Sequence, residues 1–401
     1  MISEKTDKIV YMDNNATTRV APEVVEDMLP FFGEYYGNPS SMHTFGGQVG
    51  QKIAEARQRI AALINASPEE IIFTSCGTES DSTAILSAVQ SLSDKRHIVT
   101  TRVEHPAVKN LCESLYSISG HKHKVTQIPV DKYGMLDLEK YRESLTDETA
   151  IVSVMWANNE TGVIFPIKKM AAMARERGIL FHTDAVQAVG KIPIDMADVP
   201  VDFLSISGHK LHAPKGVGVL YVRKGTRFVP FLFGGHQEQG RRGGTENVAS
   251  IIGMGRACEL VAARMEDENT RVRALRDRLE EGLLQAVPQA ILNGHKTERL
   301  PNTSNISFEF VEGESILLHL DRFGVCASSG SACTSGSLEP SHVLRAMGVP
   351  FTAAHGSIRF SLSVYNTDQD VDYVLEHLPK IISDLRAMSP FWQETSKEKA
   401  E

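Results

Sequence analysis

The chain has 401 residues, with 42 Lys or Arg against 50 Asp or Glu, which gives a formal net charge of −8 at pH 7. This length predicts two domains, or one large α/β domain with an appendage. The acidic balance and the lack of a basic block argue against nucleic acid as a partner. No apolar run reaches the length of a membrane span, so we expect no membrane partner.

The N-terminus and the cysteines indicate a cytoplasmic protein. Residues 1–8 are charged and lack the apolar core of a signal peptide. The five cysteines are odd in number and form no CxxC pair, which argues against a disulfide framework and against a zinc site. We therefore expect free thiols that mostly pack in the core, and no bound metal.

The first part of the chain predicts a short strand followed by helices. A strand-like run enters the polar turn 13–18 (DNNATT). Pro22 opens a helical stretch over 23–36 because proline suits the first helical turn, and Pro30 inside it predicts a kink or a split. After a loop that contains Gly and Pro, apolar spacing over 48–64 predicts an amphipathic helix.

From residue 71 onward, strand-like and helical patterns alternate. The strand-like runs lie at 71–73, 98–100, 150–155, 179–181, 203–206 and 217–222, and helical patterns between them include 83–92, 107–116 and 167–177. Such alternation predicts a mostly parallel sheet with helices on both faces. Ligands of these sheets bind beyond the carboxyl ends of the strands, where the candidate residues below also lie.

The C-terminal part has a different pattern. Residues 246–290 are largely helical and are expected to connect two domains. An α+β pattern follows, with strands at 305–310 and 357–363, helices at 314–321 and 342–347, and a long helix after Thr367, which forms an approximate capping box with Asp370. We expect a large domain over 17–262. We expect a smaller domain made of 1–16 and 263–401, which carries a cysteine-containing loop.

The segment 205–216 (SISGHKLHAPKG) predicts a functional turn between two strands. A lysine flanked by His, Ser and Gly is the arrangement that holds an aldehyde cofactor as a Schiff base. The residue to look for with Lys210 is an Asp that holds the pyridinium nitrogen of pyridoxal 5'-phosphate (PLP), and Asp184 is placed to do that. The alternatives are a surface loop with solvated lysines and a strand-end turn carboxylate.

A phosphate site is suggested by the segment 75–80 (SCGTES), which lies between a strand and a helix. Gly77 and Thr78 offer backbone N–H groups and a hydroxyl to an anion at a helix N-terminus. Ser207 and His209, in the segment 205–216 that contains Lys210 (the lysine loop), would be further hydrogen-bond donors. Because serine and threonine also cap helices, simple capping is the alternative.

Four further polar residues follow or interrupt strand-like runs. Gln187 and Asn159 could donate hydrogen bonds to the phenolic oxygen of the cofactor, and His105 could stack on its ring. Arg359 alternates with apolar neighbours and would hold a substrate carboxylate through two hydrogen bonds. A structural histidine and a structural ion pair are the alternatives for His105 and Arg359.

Cys333 is the most informative residue. It lies in the run 326–337 (CASSGSACTSGS), whose small residues predict a mobile loop. An exposed thiol on such a loop suits a nucleophile that must visit two places, and a buried thiol on an ordered loop is the alternative. Cys326 follows Val325 and is expected to be inert in a strand.

With these residues assembled, the chain resembles the cysteine desulfurases of the NifS/IscS type, which are class-V aminotransferase-like enzymes of PLP fold type I. The resemblance covers nearly the whole chain, from the turn 13–18 through SGHK at 207–210 to SGSACTS at 329–335. TSCGTESDST at 74–83 and MWANNETG at 155–162 are closer to the nitrogen-fixation branch. The implied fold is α/β, with a large domain built on a mostly parallel seven-stranded sheet and a smaller α+β domain.

The resemblance implies PLP as the cofactor, L-cysteine as the substrate and a homodimer with its sites at the subunit interface. It implies that Lys210 holds the cofactor, that Cys333 carries a persulfide and that His105 is the acid–base for the substrate thiol. The implied cofactor-binding residues are Gly77, Thr78, Asn159, Asp184, Gln187, Ser207, His209, Lys210 and, reaching the other subunit, Thr245. Asn38 and Arg359 match the positions that bind the substrate carboxylate.

The implied reaction converts L-cysteine to L-alanine and passes the sulfur from Cys333 to an iron–sulfur scaffold or another acceptor protein, for iron–sulfur cluster assembly related to nitrogen fixation. Cys333 is then the residue that would contact the acceptor or its cluster. Two alternatives stay open. One is a PLP-dependent transaminase or lyase of the same fold, and the other is a non-enzymatic sulfur-relay scaffold.

Overall fold

The computed structural model describes residues 8–118, 120, 123–329, 340–390 and 392. The strands are β1 (Val10–Tyr11), β2 (Ile71–Thr74), β3 (His97–Thr101), β4 (Lys124–Ile128), β5 (Thr149–Ser153), β6 (Leu180–Asp184), β7 (Phe203–Ser207), β8 (Gly218–Val222), β9 (Ala290–Asn293), β10 (Thr303–Phe308), β11 (Val325–Cys326) and β12 (Ser357–Ser361).

The helices are α1 (Pro22–Met28), α2 (Pro30–Gly33), α3 (Thr44–Leu63), α4 (Gly77–Ser91), α5 (Pro106–Ile118), α6 (Leu138–Ser144), α7 (Ile167–Glu176), α8 (Val248–Ala263), α9 (Met265–Asp267), α10 (Arg273–Ala286), α11 (Gly313–Arg322), α12 (His342–Ala346), α13 (Phe351–His355) and α14 (Asp368–Met388). Short 3₁₀ turns lie at Pro68–Glu70, Gly208–Lys210 and Gln237–Gly240, and a π turn at Glu268–Val272 joins α9 to α10.

The large sheet has seven strands in the order β2-β8-β7-β6-β5-β3-β4. β8 runs antiparallel to β2 and β7, whereas the other neighbouring pairs are parallel. Most of these strands are buried along their whole length, because helices such as α4 cover the sheet. The predicted α/β class with a mostly parallel sheet is therefore confirmed.

The predicted helices and strands agree with the structure except near some ends. The helical stretch 23–36 is split at Pro30, because α1 ends at Met28 and α2 begins at Pro30. Helix α3 begins at Thr44, four residues before the predicted start, because His43 Nδ1 accepts a hydrogen bond from the Gly46 N–H at 3.0 Å.

A second, smaller sheet is antiparallel and has the order β12-β10-β9. Helices α10, α11 and α14 pack near it around a separate apolar core, which also contains Val10 and Met12. Helix α14 begins with the predicted capping box: Thr367 Oγ1 accepts from the Asp370 N–H at 3.3 Å, and Asp370 Oδ2 accepts from the Thr367 N–H at 3.0 Å. None of the described helices is long and apolar enough to span a membrane.

We propose the division into a domain of residues 17–262 and a domain made of 1–16 and 263–401, which is supported by these two cores. The strand β1 pairs with β11 and so places the N-terminus with the C-terminal part of the chain. Packing also crosses the proposed boundary, because Leu300 and Leu344 belong to the apolar core of the large sheet. Residues of the proposed smaller domain therefore also pack in the core of the large sheet.

Candidate active site

A cavity of about 300 Å³ lies beyond the carboxyl ends of the central strands of the large sheet. It brings together most of the predicted site residues, namely Gly77, Thr78, His105, Asn159, Asp184, Gln187, Ser207, His209, Lys210 and Arg359. The other lining residues are Asn15, Ala16, Cys76, Asp81, Met155, Ala157 and Val186.

Lys210 ends the short turn that follows β7. Its Nζ donates hydrogen bonds to the backbone oxygens of Asn15 at 2.6 Å and Ala16 at 2.7 Å. Gly208 allows this turn to lie close to the next strand, since a Cβ there would lie 2.8 Å from Val217 Cγ1. The turn thus holds the amine at the cavity wall against the N-terminal segment.

Asp184 is the last residue of β6 and is 6% exposed. Its Oδ1 accepts a hydrogen bond from the Val186 N–H at 2.9 Å. Burial raises the pKa of Asp184, and the neighbouring carboxyl of Asp81 raises it further. No described residue forms a salt bridge with Asp184, and a protonated pyridine nitrogen would supply a cationic partner.

The first turn of α4 forms the opposite wall of the cavity. A Cβ on Gly77 would lie 2.9 Å from Val186 Cγ2 and 3.4 Å from Ser207 Cβ, so the glycine leaves room where a side chain would intrude. Gly77 and Thr78 are the first two residues of α4 and line this cavity. The first N–H groups of a helix have no intrahelical acceptor, and the helix dipole favours an anion near them. Gly77 and Ser207 therefore shape a cradle suited to a phosphate group.

His209 lies beside this cradle, and its Nδ1 is 3.2 Å from Thr17 Oγ1. Burial lowers the pKa of His209 to about 4, with a further contribution from the adjacent Lys210 ammonium. His209 is therefore neutral at neutral pH and acts as a hydrogen-bonding group. An amine, a buried carboxyl and a helix N-terminus around one cavity fit the aldehyde, the pyridine nitrogen and the phosphate of PLP.

Gln187 and Arg359 each have a buried polar atom without a hydrogen-bond partner among the described residues. Gln187 Nε2 donates to the Asn15 oxygen at 3.0 Å, while its buried Oε1 has no hydrogen-bond partner among the described residues. Arg359 Nη2 pairs with Asp13 Oδ1 at 2.8 Å, and its Nη1 donates to the Asn159 oxygen at 3.1 Å. Arg359 thus forms an ion pair and also faces the cavity, and its contact with a substrate carboxylate stays a prediction.

His105 follows β3 at the cavity wall, and its Nδ1 accepts a hydrogen bond from the Ala107 N–H at 3.1 Å. This bond assigns the proton of the neutral ring to Nε2. The preceding residue, Glu104, is 1% exposed and accepts hydrogen bonds from Thr101 Oγ1 at 2.6 Å and from the Met155 N–H at 3.0 Å. Glu104 therefore fixes the strand end that presents His105.

Cys333 lies outside the described residues, but both flanks of its segment adjoin the cavity. Ser328 and Arg359 exchange backbone hydrogen bonds of 3.2 and 2.6 Å. On the other flank, Ser341 Oγ donates to a Glu160 carboxylate oxygen, and His342 Nε2 is 2.9 Å from the Glu104 backbone oxygen. The role of Cys333 stays a prediction.

Two predicted residues do not line this cavity. Asn38 is exposed, and its Oδ1 accepts a hydrogen bond from the Ser40 N–H at 2.9 Å. Thr245 is also exposed and lines a separate pocket together with Thr74 and Asn247. The structure of one subunit leaves the roles of Asn38 and Thr245 as predictions.

Sequence reasoning missed Asn15 and Asp81. Asn15 Nδ2 donates to Thr303 Oγ1 at 2.9 Å, while its backbone oxygen accepts from Lys210, so it links both parts of the chain to the cavity. No local signal identifies that role. Asp81 lies four residues after Gly77, which places both on one face of α4. That spacing could have revealed Asp81.

A buried polar network continues behind Asp184. Asp81 Oδ1 lies 3.4 Å from His182 Nε2, and the two ring nitrogens of His182 lie 2.8 and 2.9 Å from Ser153 Oγ and Ser205 Oγ. Burial lowers the pKa of His182 to about 4 and raises that of Asp81 to about 7. The imidazole is therefore neutral at neutral pH, and Asp81 binds a proton over part of the neutral range.

We predict that Glu104→Gln reduces the alkaline destabilisation of the cofactor-free protein. Burial raises the pKa of Glu104 to about 8. The native state then holds a proton that the unfolded state has released, so stability is complete below the unfolded pKa and falls as pH rises through about 8. The midpoint of thermal unfolding should drop less in Glu104→Gln than in wild type between about pH 6 and about pH 9.

Glu139→Gln is the matched control for that measurement, because the Glu139 side chain is 75% exposed. Its pH profile should follow wild type. A Glu104→Gln profile that also follows wild type would contradict a neutral, buried Glu104.

The chain matches known proteins over nearly its whole length. The family model of class-V aminotransferases matches residues 10–374. A cysteine desulfurase NifS from Azotobacter vinelandii is 61% identical over 384 residues, which cover 96% of this chain and 95% of that protein. A cysteine desulfurase from Gluconacetobacter diazotrophicus is 59% identical over 392 residues, which cover 98% of each.

Solved structures agree with these sequence matches. A NifS-like protein superposes with a TM-score of 0.88 at 38% identity, covering 94% of this chain and all 100% of that one. A structure described as SspA in complex with cysteine superposes with a TM-score of 0.79 at 34% identity, covering 89% of this chain and 99% of that one. The predicted PLP cofactor and fold type are confirmed, and the chain belongs to the class-V aminotransferase family as a cysteine desulfurase of the NifS type.

Proposed function

We propose that this chain holds PLP through Lys210 and Asp184, removes sulfur from L-cysteine onto Cys333, and leaves L-alanine. The observation that carries the proposal is the shared cavity of the Lys210 amine, the buried Asp184 carboxyl and the Gly77 cradle. The cysteine complex of the structural relative supports L-cysteine as the substrate. The names of the sequence relatives support sulfur supply for iron–sulfur clusters, in the setting of nitrogen fixation.

The bound cofactor would withdraw electrons from the α-carbon of the substrate, which acidifies that carbon and opens the substrate sulfur to nucleophilic attack. Asp184, kept ionised by the cation it faces, would hold the pyridine nitrogen protonated. Gly77, Thr78, Ser207 and neutral His209 would bind the phosphate, while Gln187 and Asn159 would contact the phenolic oxygen.

Lys210 Nζ is the group that would move the substrate proton. With the substrate amine bound, the Lys210 amine would act as the base, and the turn after β7 tethers it. It would accept the α-proton and later return a proton to the carbon skeleton. The backbone oxygens of Asn15 and Ala16 lie within hydrogen-bond distance of Nζ and can hold it in position between these transfers.

Arg359 and Asn38 would bind the substrate carboxylate. Arg359 is 3% exposed and already oriented by Asp13 and by the Asn159 oxygen. Its Nε has no hydrogen-bond partner among the described residues, so the guanidinium retains a donor. His105, with its ring proton on Nε2, would exchange the proton of the substrate thiol.

Cys333 would receive the sulfur as a thiolate. Its attack forms an S–S bond, and the bond between the substrate sulfur and its carbon breaks, with the electron pair staying on the carbon side. Protonation of that carbon side gives L-alanine, and the sulfur remains on Cys333 as a persulfide. The persulfide would then pass to the thiol of an iron–sulfur scaffold or another acceptor protein.

The proposed assembly is a homodimer in the cytoplasm. Thr245 is exposed and lies away from the cavity of its own subunit, which is the arrangement expected of a residue that serves the partner subunit. In the dimer, Thr245 would donate a hydrogen bond to the phosphate of the partner's cofactor.

We predict that Lys210→Ala lowers the turnover of L-cysteine by at least about 100-fold, because both the covalent attachment and the proton carrier are lost. The visible absorbance of the lysine-bound cofactor should disappear from the purified variant. Lys215→Ala, which changes an exposed lysine of the same loop, should retain both properties. Turnover by Lys210→Ala at the wild-type rate would remove Lys210 from the mechanism.

We predict that Cys333→Ala binds L-cysteine but forms no persulfide. Substrate should still change the visible absorbance of the PLP-loaded variant, since Lys210 and Asp184 are intact. Mass spectrometry after one turnover should detect added sulfur on wild type and none on the variant. Cys326→Ala is the control, because Cys326 lies in β11 and should leave sulfur transfer unchanged. Full sulfur transfer by Cys333→Ala would disprove the nucleophile assignment.

A further inference from the structure

The loop between β8 and α8 adopts a conformation that its residues disfavour. Within residues 234–245, here called the clamped loop, Glu238 and Gln239 are consecutive non-glycine residues with φ of 48° and 59°. Such left-handed conformations are unfavourable for L-residues and persist only where the surrounding structure enforces them. The contacts that enforce them here are specific.

A buried ion pair holds the strained turn from one side. Arg57 of α3 donates to both carboxylate oxygens of Glu238, at 2.7 and 2.6 Å. Glu238 is 8% exposed and also accepts from the Phe73 N–H of β2 at 3.0 Å. Three hydrogen bonds to one buried carboxylate compensate its desolvation only in this geometry, so they fix the position of the turn.

A second ion pair ties the clamped loop to the phosphate cradle. Arg242 Nε and Nη2 donate to the two carboxylate oxygens of Glu79, at 2.9 and 3.2 Å. Glu79 lies in the first turn of α4 and accepts from the Ser75 N–H at 2.7 Å. Burial opposes ionisation, but the hydrogen bonds from Arg242 and Ser75 keep the pKa of Glu79 below its usual value. One carboxylate therefore bridges the loop and the segment before Gly77.

Two consecutive glycines, Gly243 and Gly244, lie near the end of the clamped loop at positions that disfavour any side chain. A Cβ on Gly243 would lie 2.6 Å from the Gly234 Cα, and Gly244 has a φ of +106°. The next residue is Thr245, whose side chain makes no hydrogen bond with the described part of the chain. This firmly held loop thus presents an exposed hydroxyl to which no described residue forms a hydrogen bond.

We propose that Glu238 and Arg242 are positioning residues for the cofactor of the partner subunit, because their ion pairs hold Thr245 where it meets that cofactor's phosphate. The inference rests on the proposed homodimer and on the proposed role of Thr245. Glu79 belongs to the same arrangement. Its ion pair with Arg242 joins the phosphate cradle of one subunit to the loop that serves the cavity of the other subunit.

Mixed dimers of the full-length holoenzyme test the proposal. Two differently tagged chains are co-expressed and dimers that carry both tags are isolated. Lys210→Ala in one chain leaves a single cavity that attaches PLP covalently. Glu238→Gln is placed either in the chain with that working cavity or in the Lys210→Ala chain. The measured quantities are the PLP dissociation constant and the KM and kcat for L-cysteine.

The two arrangements should differ. With Glu238→Gln in the Lys210→Ala chain, the altered loop serves the working cavity of the partner, and PLP affinity should fall by about tenfold to about a hundredfold, as for a lost hydrogen bond to a charged group. With Glu238→Gln in the chain of the working cavity, the intact loop serves that cavity. Affinity should then equal that of a mixed dimer that carries Lys210→Ala alone.

Arg242→Gln is the second variant and should give the same pattern. It alters a side chain that is 22% exposed, whereas the side chain of Glu238 is 4% exposed. Equal PLP affinity in the two arrangements, or a loss confined to the cavity in the altered chain, would overturn the positioning role. A monomeric holoenzyme would overturn it as well. Failure of wild type to bind PLP or to turn over L-cysteine would instead refute the proposed function itself, so the two failures are distinguishable.

Discussion

The contact between the turn 13–18 and the lysine loop is the constraint on which the site depends. The backbone oxygen of Asn15 accepts from both Lys210 Nζ and Gln187 Nε2, and the Thr18 N–H donates to the His209 oxygen. The same turn follows β1, which pairs with β11 of the C-terminal part. One short segment therefore positions the lysine against the large sheet and fixes the C-terminal part beside it. Any displacement of this turn would move the reactive amine.

Burial controls the charge of the site. Several carboxyls that line the cavity or lie behind it are buried, and burial raises the pKa of Asp81, of Glu104 and of Asp184. Two neighbouring acids in a dry site cannot both ionise without a counter-charge, and the pyridine nitrogen of the cofactor is the cation that Asp184 can pair with. Cofactor binding and the protonation of these buried carboxyls are thus linked, and shifted pKa values of this kind are typical of functional sites.

Short sequence patterns predicted the strands and turns that are determined by residues close together in the chain. Buried parallel strands are nearly continuous apolar runs, so the alternation of the large sheet was visible in the sequence, whereas the partly exposed edge strand β4, with the sequence KVTQI, was not predicted. The lysine loop and the Gly77 turn carry local motifs. Asn15 has no such signal, because its contact with Lys210 joins residues 195 apart in the chain. The ion pair between Arg57 and Glu238 joins residues that are 181 positions apart in the chain, so it could not be predicted for the same reason.

The most direct test of the central claim is the ratio of L-alanine to sulfide that the purified, PLP-loaded protein releases from L-cysteine with a thiol reductant present. Equal amounts of the two products are expected, since each sulfur that leaves the substrate leaves one alanine behind. Pyruvate and ammonia beside the sulfide would indicate β-elimination and remove Cys333 from the reaction. Amino exchange that depends on an added keto acid, without sulfide, would make the chain a transaminase and contradict the account.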